Sequence, residues 1–145
     1  MPRSAPRPWH FWPVAVLALL WYVVALADYV FTQYQLPPYP ELFGPEMVAY
    51  FTSLPAHADG AWGLAVGAGL MGALALLLDW RLSAVALAVA ALAMGYLTLW
   101  LTVLASPPMR SVTGALGDGI MVGATVVGIA IWLYARWLHA KGEIA

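Results

Sequence analysis

Asp28 is the residue in this 145-residue chain whose type and position most invite chemistry. It is the single charge in an apolar run from Phe11 to Phe31. A carboxylate inside a membrane span costs about 2.5–3.5 kcal/mol at the centre and by default marks a binding or conduction site. Asp28 lies roughly one helical turn from the end of its run, where that cost is lower. Trp21, Val24, Ala25 and Thr32 share its helix face. Asp59 and Asp118 stand at the starts of two further apolar runs, where aspartate also serves as a helix cap and complements the helix dipole. With Glu41 and Glu46 they gather acid on one side of the membrane, opposed there by Arg110 alone. Such a vestibule attracts a cation or hydrogen-bonds a sugar. Two plainer accounts stand beside it: an interfacial Asp28 reached by water or paired with Arg110, and acid that merely complements a basic opposite face. The candidate ligand- or ion-binding set is therefore Asp28, Thr32, Asp59, Asp118 and Arg110.

Other motifs carry less. The chain has no cysteine, which excludes disulfides, thiolate metal sites and cysteine nucleophiles. His10, His57 and His139 fall on both membrane faces and cannot share a metal. Gly67-Ala68-Gly69-Leu70-Met71-Gly72 matches the dinucleotide fingerprint G-x-G-x-x-G but lies inside an apolar helix, without the preceding strand the fingerprint requires. Ser83, Ser106 and Ser111 have no base at identifiable spacing. Neither an enzyme nor a cofactor is expected. A net charge of −1 with scattered basic residues excludes a nucleic-acid patch.

The elements that must position these residues follow from composition. Hydrophobic residues make up 63% of the chain and charged ones 9%, against about 25% charged in an average soluble domain. A chain this short cannot bury that much apolar surface internally, so lipid is its solvent. The expected class is all-α: an integral membrane four-helix bundle with a short amphipathic surface helix between spans 1 and 2. A tail, 1–10, precedes the first span at 11–32. Residues 45–54 form the surface helix, with Met47, Tyr50, Phe51 and Leu54 on one face and Pro45 at its first position. The remaining spans are 59–78, 82–104 and 117–138, followed by a tail, 139–145. All belong to one membrane domain. At the helical rise, Phe11 to Phe31 covers about 31 Å, enough for a hydrocarbon core.

Arg3, Arg7, Arg81, Arg136 and Lys141 fall on one side and Arg110 on the other, which predicts cytoplasmic N- and C-termini. Trp9, Trp12, Trp80, Trp132 and Trp137 belt that same interface. Ala25-Leu26-Ala27 after the first apolar run has the form of a signal-peptide cleavage site. The bulky Trp21 and Tyr22 nearby, and the continuation through Phe31, favour a retained span. Inside lipid, close backbone approach drives packing, so small residues mark contact faces. Gly63, Gly67, Gly69 and Gly72 of the second span, Gly95 of the third and Gly123 of the fourth are the expected contact positions, with the second span placed centrally. Some of these faces suit a homo-oligomer equally well.

Trp21, Asp28-Tyr29, Thr32-Gln33, Phe43, Pro45-Glu46, Pro55, Trp62, Gly67, Gly69, Gly72 and Trp132-Leu133-Tyr134-Ala135-Arg136 together resemble a group of small uncharacterised four-span bacterial membrane proteins often labelled "sugar transporter". The likeness runs over nearly the whole chain, although members carry a more basic turn than Asp79-Trp80-Arg81. It implies a bacterial inner-membrane location. The expected function is a non-enzymatic accessory or binding component, alone as a homo-oligomer or within a larger membrane complex. The alternative is a sugar-like solute or cation transporter or channel with Asp28 in its path.

Overall fold

The computed structural model describes residues 6–145; Arg3 lies outside them. The chain is all-helical among those residues. Helix α1 covers Phe11–Gln33, α2 Tyr39–Thr52, α3 Ala56–Leu77, α4 Ser83–Leu99 and α5 Arg110–Ala140. A wide π turn, Trp100–Leu104, prolongs α4. The helices α1, α3, α4 with its π turn, and α5 are long and apolar enough to cross a membrane. Their outward faces remain apolar, as at Leu17, Met71, Leu92 and Val126, which suits a lipid solvent.

Prolines and glycines set the boundaries. Pro55, in extended conformation, leads directly into α3. Asp79 adopts a left-handed conformation (φ 60°) in the tight turn between α3 and α4. The surface helix is longer than residues 45–54: a turn at 39–43 precedes it, and Gly44 (φ 76°, ψ 164°) breaks the path between the two segments. That backbone region is open essentially to glycine alone. Pro45 thereby still occupies the first position of a fresh helical segment. In the same way α5 starts at Arg110 instead of 117, with Gly114 (φ 69°) separating its first turn from the spanning part.

The four spans form a row in the order α1, α3, α4, α5. The centre is thus shared by α3 and α4, not held by the second span alone. Small residues explain the closeness. A Cβ on Gly72 would stand 2.7 Å from Leu87 Cγ, and one on Gly69 would overlap the Tyr22 ring. The row closes on itself at the end carrying the termini. There Phe11, Ala15 and Ala18 of α1 join Leu76, Leu87, Ile131 and Leu138 in one buried cluster. Polar clasps reinforce it. His10 Nδ1 lies 2.7 Å from the Tyr134 hydroxyl, and Arg7 pairs with Asp79 at 3.2 Å. Asp79 also accepts the Ala145 backbone N–H at 2.7 Å. At the opposite end α1 and α5 scarcely touch, and α2 lies across the gap.

Candidate functional site

The gap is a cavity of about 460 Å³. Each helix supplies one face. From α1 come Trp21, Tyr22, Ala25, Asp28 and Thr32; from α3, Trp62, Ala65 and Val66; from α4, Ala90, Met94 and Leu97. The α5 wall is Thr113, Gly117, Ile120, Met121, Ala124 and Gly128. Tyr39, Pro40, Phe43, Met47, Val48 and Phe51 of α2 form the roof. Tyr22, beside Gly128, reaches the floor, from which the packed cluster at the termini end continues.

The α2 roof is pinned at both ends. Phe31, Tyr39 and Phe43 form successive edge-to-face pairs with centroids 5.2 Å apart, tying its first turn to α1. At its far end Tyr50 donates a 2.9 Å hydrogen bond to the Pro107 carbonyl in the α4–α5 loop. Phe51 meets Trp62 of α3 at 5.9 Å. None of the α2 residues is fully buried, so these few contacts hold it in place.

Among the described residues Asp28 is the one charged residue lining the cavity. Thr32 and Gln35 line it one and two turns further along, so the polar part of the wall lies beneath the roof. The Tyr39 hydroxyl faces the Asp28 carboxylate across the α1–α2 junction. Burial first, then that carboxylate, pushes the Tyr39 phenol above its ordinary value of 10.0. Burial similarly raises Tyr50.

The other acids of the candidate set lie elsewhere. Asp59 stands in the first turn of α3 and accepts hydrogen bonds from Gln33 Nε2 at 2.7 Å and the Tyr29 hydroxyl at 3.4 Å. It joins α3 to a different face of α1. Asp118 pairs with Arg110 at 2.8 Å within α5, spanning the Gly114 break. Arg110 is therefore engaged with Asp118, and Asp28 keeps no basic partner among the described residues. Of the expected contact glycines, Gly69 and Gly72 sit at close helix crossings, Gly63 faces the Tyr29 hydroxyl, and Gly95 faces Thr125. A Cβ on Gly67 or Gly123 would meet nothing within 4 Å.

Sequence reasoning missed three things. Tyr39 reaches Asp28 only because the loop at 34–38 folds α2 back over α1, and nothing local encodes that. On α5 the expected contact at Gly123 is not made, while Gly128 packs against Tyr22 and Ala91 and Ala124 borders the cavity. Ser83, fully buried, lies 3.0 Å from His139 Nε2. This third pairing joins α4 to α5 at the termini end, and its enclosure makes it a structural clasp. Among the described residues no cluster of His, Asp and Glu is placed to hold a metal. No protein-family model, curated protein or solved structure matches this chain.

Proposed function

We propose that the chain is a non-enzymatic binding component of a bacterial inner membrane, holding a small, mainly apolar ligand beneath α2. The observation that carries this reading is the 460 Å³ cavity inside a bundle otherwise packed through close helix crossings. Ligand pockets commonly fall in the range of about 300–1,000 Å³, with apolar walls and a few convergent polar groups. Asp28, Thr32, Gln35 and Tyr39 are such a group, gathered at one end. A sugar needs hydrogen-bond partners along its whole length, so this distribution supports an apolar ligand over a carbohydrate. The gap between α1 and α5 gives entry from lipid, and α2 covers the polar end. The bias of Arg7, Arg81, Arg136 and Lys141 against Arg110 supports cytoplasmic termini, with α2 on the outer surface.

Asp28 inside the cavity also favours a second reading, a small-solute or cation carrier working as an oligomer, because spanning carboxylates often lie on transport paths. Two experiments test these readings. Purified protein in lipid nanodiscs should take up a hydrophobic fluorophore in a saturable way, and Ala124→Phe, which narrows the cavity, should weaken that uptake. Equal saturable uptake by the narrowed variant refutes the cavity reading. Solute flux into proteoliposomes that Asp28→Asn stops selects the carrier. Reporter fusions at Ala145 and Glu41 should read cytoplasmic and external, respectively.

A further inference from the structure

We propose that the cavity's ligand is a hydrophobic cation, a protonated or quaternary amine whose charged head pairs with Asp28 while its apolar body fills the space toward Tyr22. This rests on the cavity being a ligand site and adds the ligand's chemical class.

Charge is the first argument. Among the described residues Asp28 is the one carboxylate in the wall, and no base accompanies it there. Among the described residues the ion pairs are Arg7 with Asp79, at the far end of the bundle, and Arg110 with Asp118. The nearer arginine is thus already engaged. An ionised carboxylate in apolar surroundings is costly until a counter-charge arrives. A ligand cation supplies one, whereas an anionic ligand adds repulsion and a neutral one leaves the deficit.

The walls are the second argument. Trp21, Phe31, Tyr39, Phe43, Phe51 and Trp62 all line the space around or beyond Asp28. Aromatic rings attract ammonium groups through their quadrupoles, and the attraction strengthens where water is excluded. Rings combined with a single carboxylate therefore select a cation that is too weakly hydrated to prefer bulk water. A metal ion is a poor fit, since it demands several oxygen ligands and the wall offers one carboxylate. Below this polar end the lining turns to Ala65, Val66, Ala90, Met94 and Leu97, which suits a hydrocarbon or ring body. The gap between α1 and α5 would admit such a molecule directly from the lipid, where amphipathic cations accumulate.

The test compares a phenylalkyl-trimethylammonium ion with its neutral tert-butyl isostere, in which carbon replaces nitrogen. Binding to the full chain in nanodiscs is followed by titration calorimetry, with empty nanodiscs subtracting partition into lipid. The cation should bind about tenfold more tightly than the isostere, the scale of one desolvated cation–π or charge-assisted contact. Asp28→Asn should sharply narrow the ratio between the two probes' affinities. Equal affinities for the two probes in the wild-type protein overturn the inference, even if Asp28→Asn fails to fold. An undiminished preference in a folded Asp28→Asn protein overturns it too. In both cases the cavity remains a ligand site. Loss of binding for both probes in the wild type sinks the cavity reading together with the inference.

Discussion

Replacing Gly69 with alanine adds one methyl group, yet it should be among the most damaging small changes in this protein. A Cβ at Gly69 would overlap the ring of Tyr22, at its Cδ1, Cε1 and Cζ atoms. Tyr22 is only 4% exposed, and Gly128 stands on its hydroxyl side, so the ring cannot rotate away freely. Overpacking of this kind costs about 1–3 kcal/mol. Helix propensity opposes it, since alanine in a helix interior is better than glycine by about 0.5–1 kcal/mol. The net expectation is a destabilisation of up to about 2.5 kcal/mol. Gly67→Ala is the internal control: it lies on the same helix, gains the same propensity and meets no neighbour within 4 Å. It should leave stability unchanged or raise it. Thermal unfolding of purified protein in one detergent, followed by size-exclusion chromatography, gives both values on one scale. Because Tyr22 lines the cavity, displacing its ring by Gly69→Ala should also weaken uptake of a cavity ligand. Gly69→Leu should be worse on both counts, and Tyr22→Ala should restore part of the lost stability. If Gly69→Ala proves as thermostable as Gly67→Ala, then α1 and α3 do not cross as closely as described.

Three further outcomes are expected. Asp28→Asn should lower the Tyr39 phenol pKa part of the way toward 10.0, because the carboxylate's contribution goes while burial remains; carbon-13 NMR of labelled tyrosine across an alkaline titration reads this, and an unmoved Tyr39 would separate the two groups. Gly44→Ala should cost about 1–3 kcal/mol, since alanine strains at its positive φ; the loss should appear as faster amide exchange confined to α2, and slow exchange there would contradict the α2 geometry. Ser83→Ala removes the 3.0 Å partner of the half-buried His139 Nε2, at a cost of about 0.5–1.5 kcal/mol, the net worth of one hydrogen bond; a melting temperature equal to that of the parent argues against the α4–α5 clasp.

Much of this architecture is written locally. Runs of apolar residues the length of a bilayer can satisfy their backbone only as helices, so the spans follow from composition and period. Pro55 and the Asp79 turn fix where two of them begin and end, again by local backbone rules. The apolar face of α2 was legible at Met47, Tyr50, Phe51 and Leu54, but the preceding turn was not. Its glycine at 44 breaks the helical path while the hydrogen-bonded coil resumes on either side. Asp28 stood out because charge is costly in lipid, and the sequence alone could single it out without saying what it faces. Its companions were another matter. Asp28, Asp59 and Asp118 share a sign and a membrane face, yet they have different partners, because each sits on a different side of its helix and the partner comes from another segment. The small residues divide in the same way. Gly69 and Gly72 meet neighbouring side chains, whereas Gly67 and Gly123 meet none and Ala124 borders the cavity. A missing side chain permits either a close approach or a void. Which one occurs depends on how far apart the neighbouring helices stand, and here the clasps at the termini end hold α1 and α5 together while nothing draws them together beneath α2.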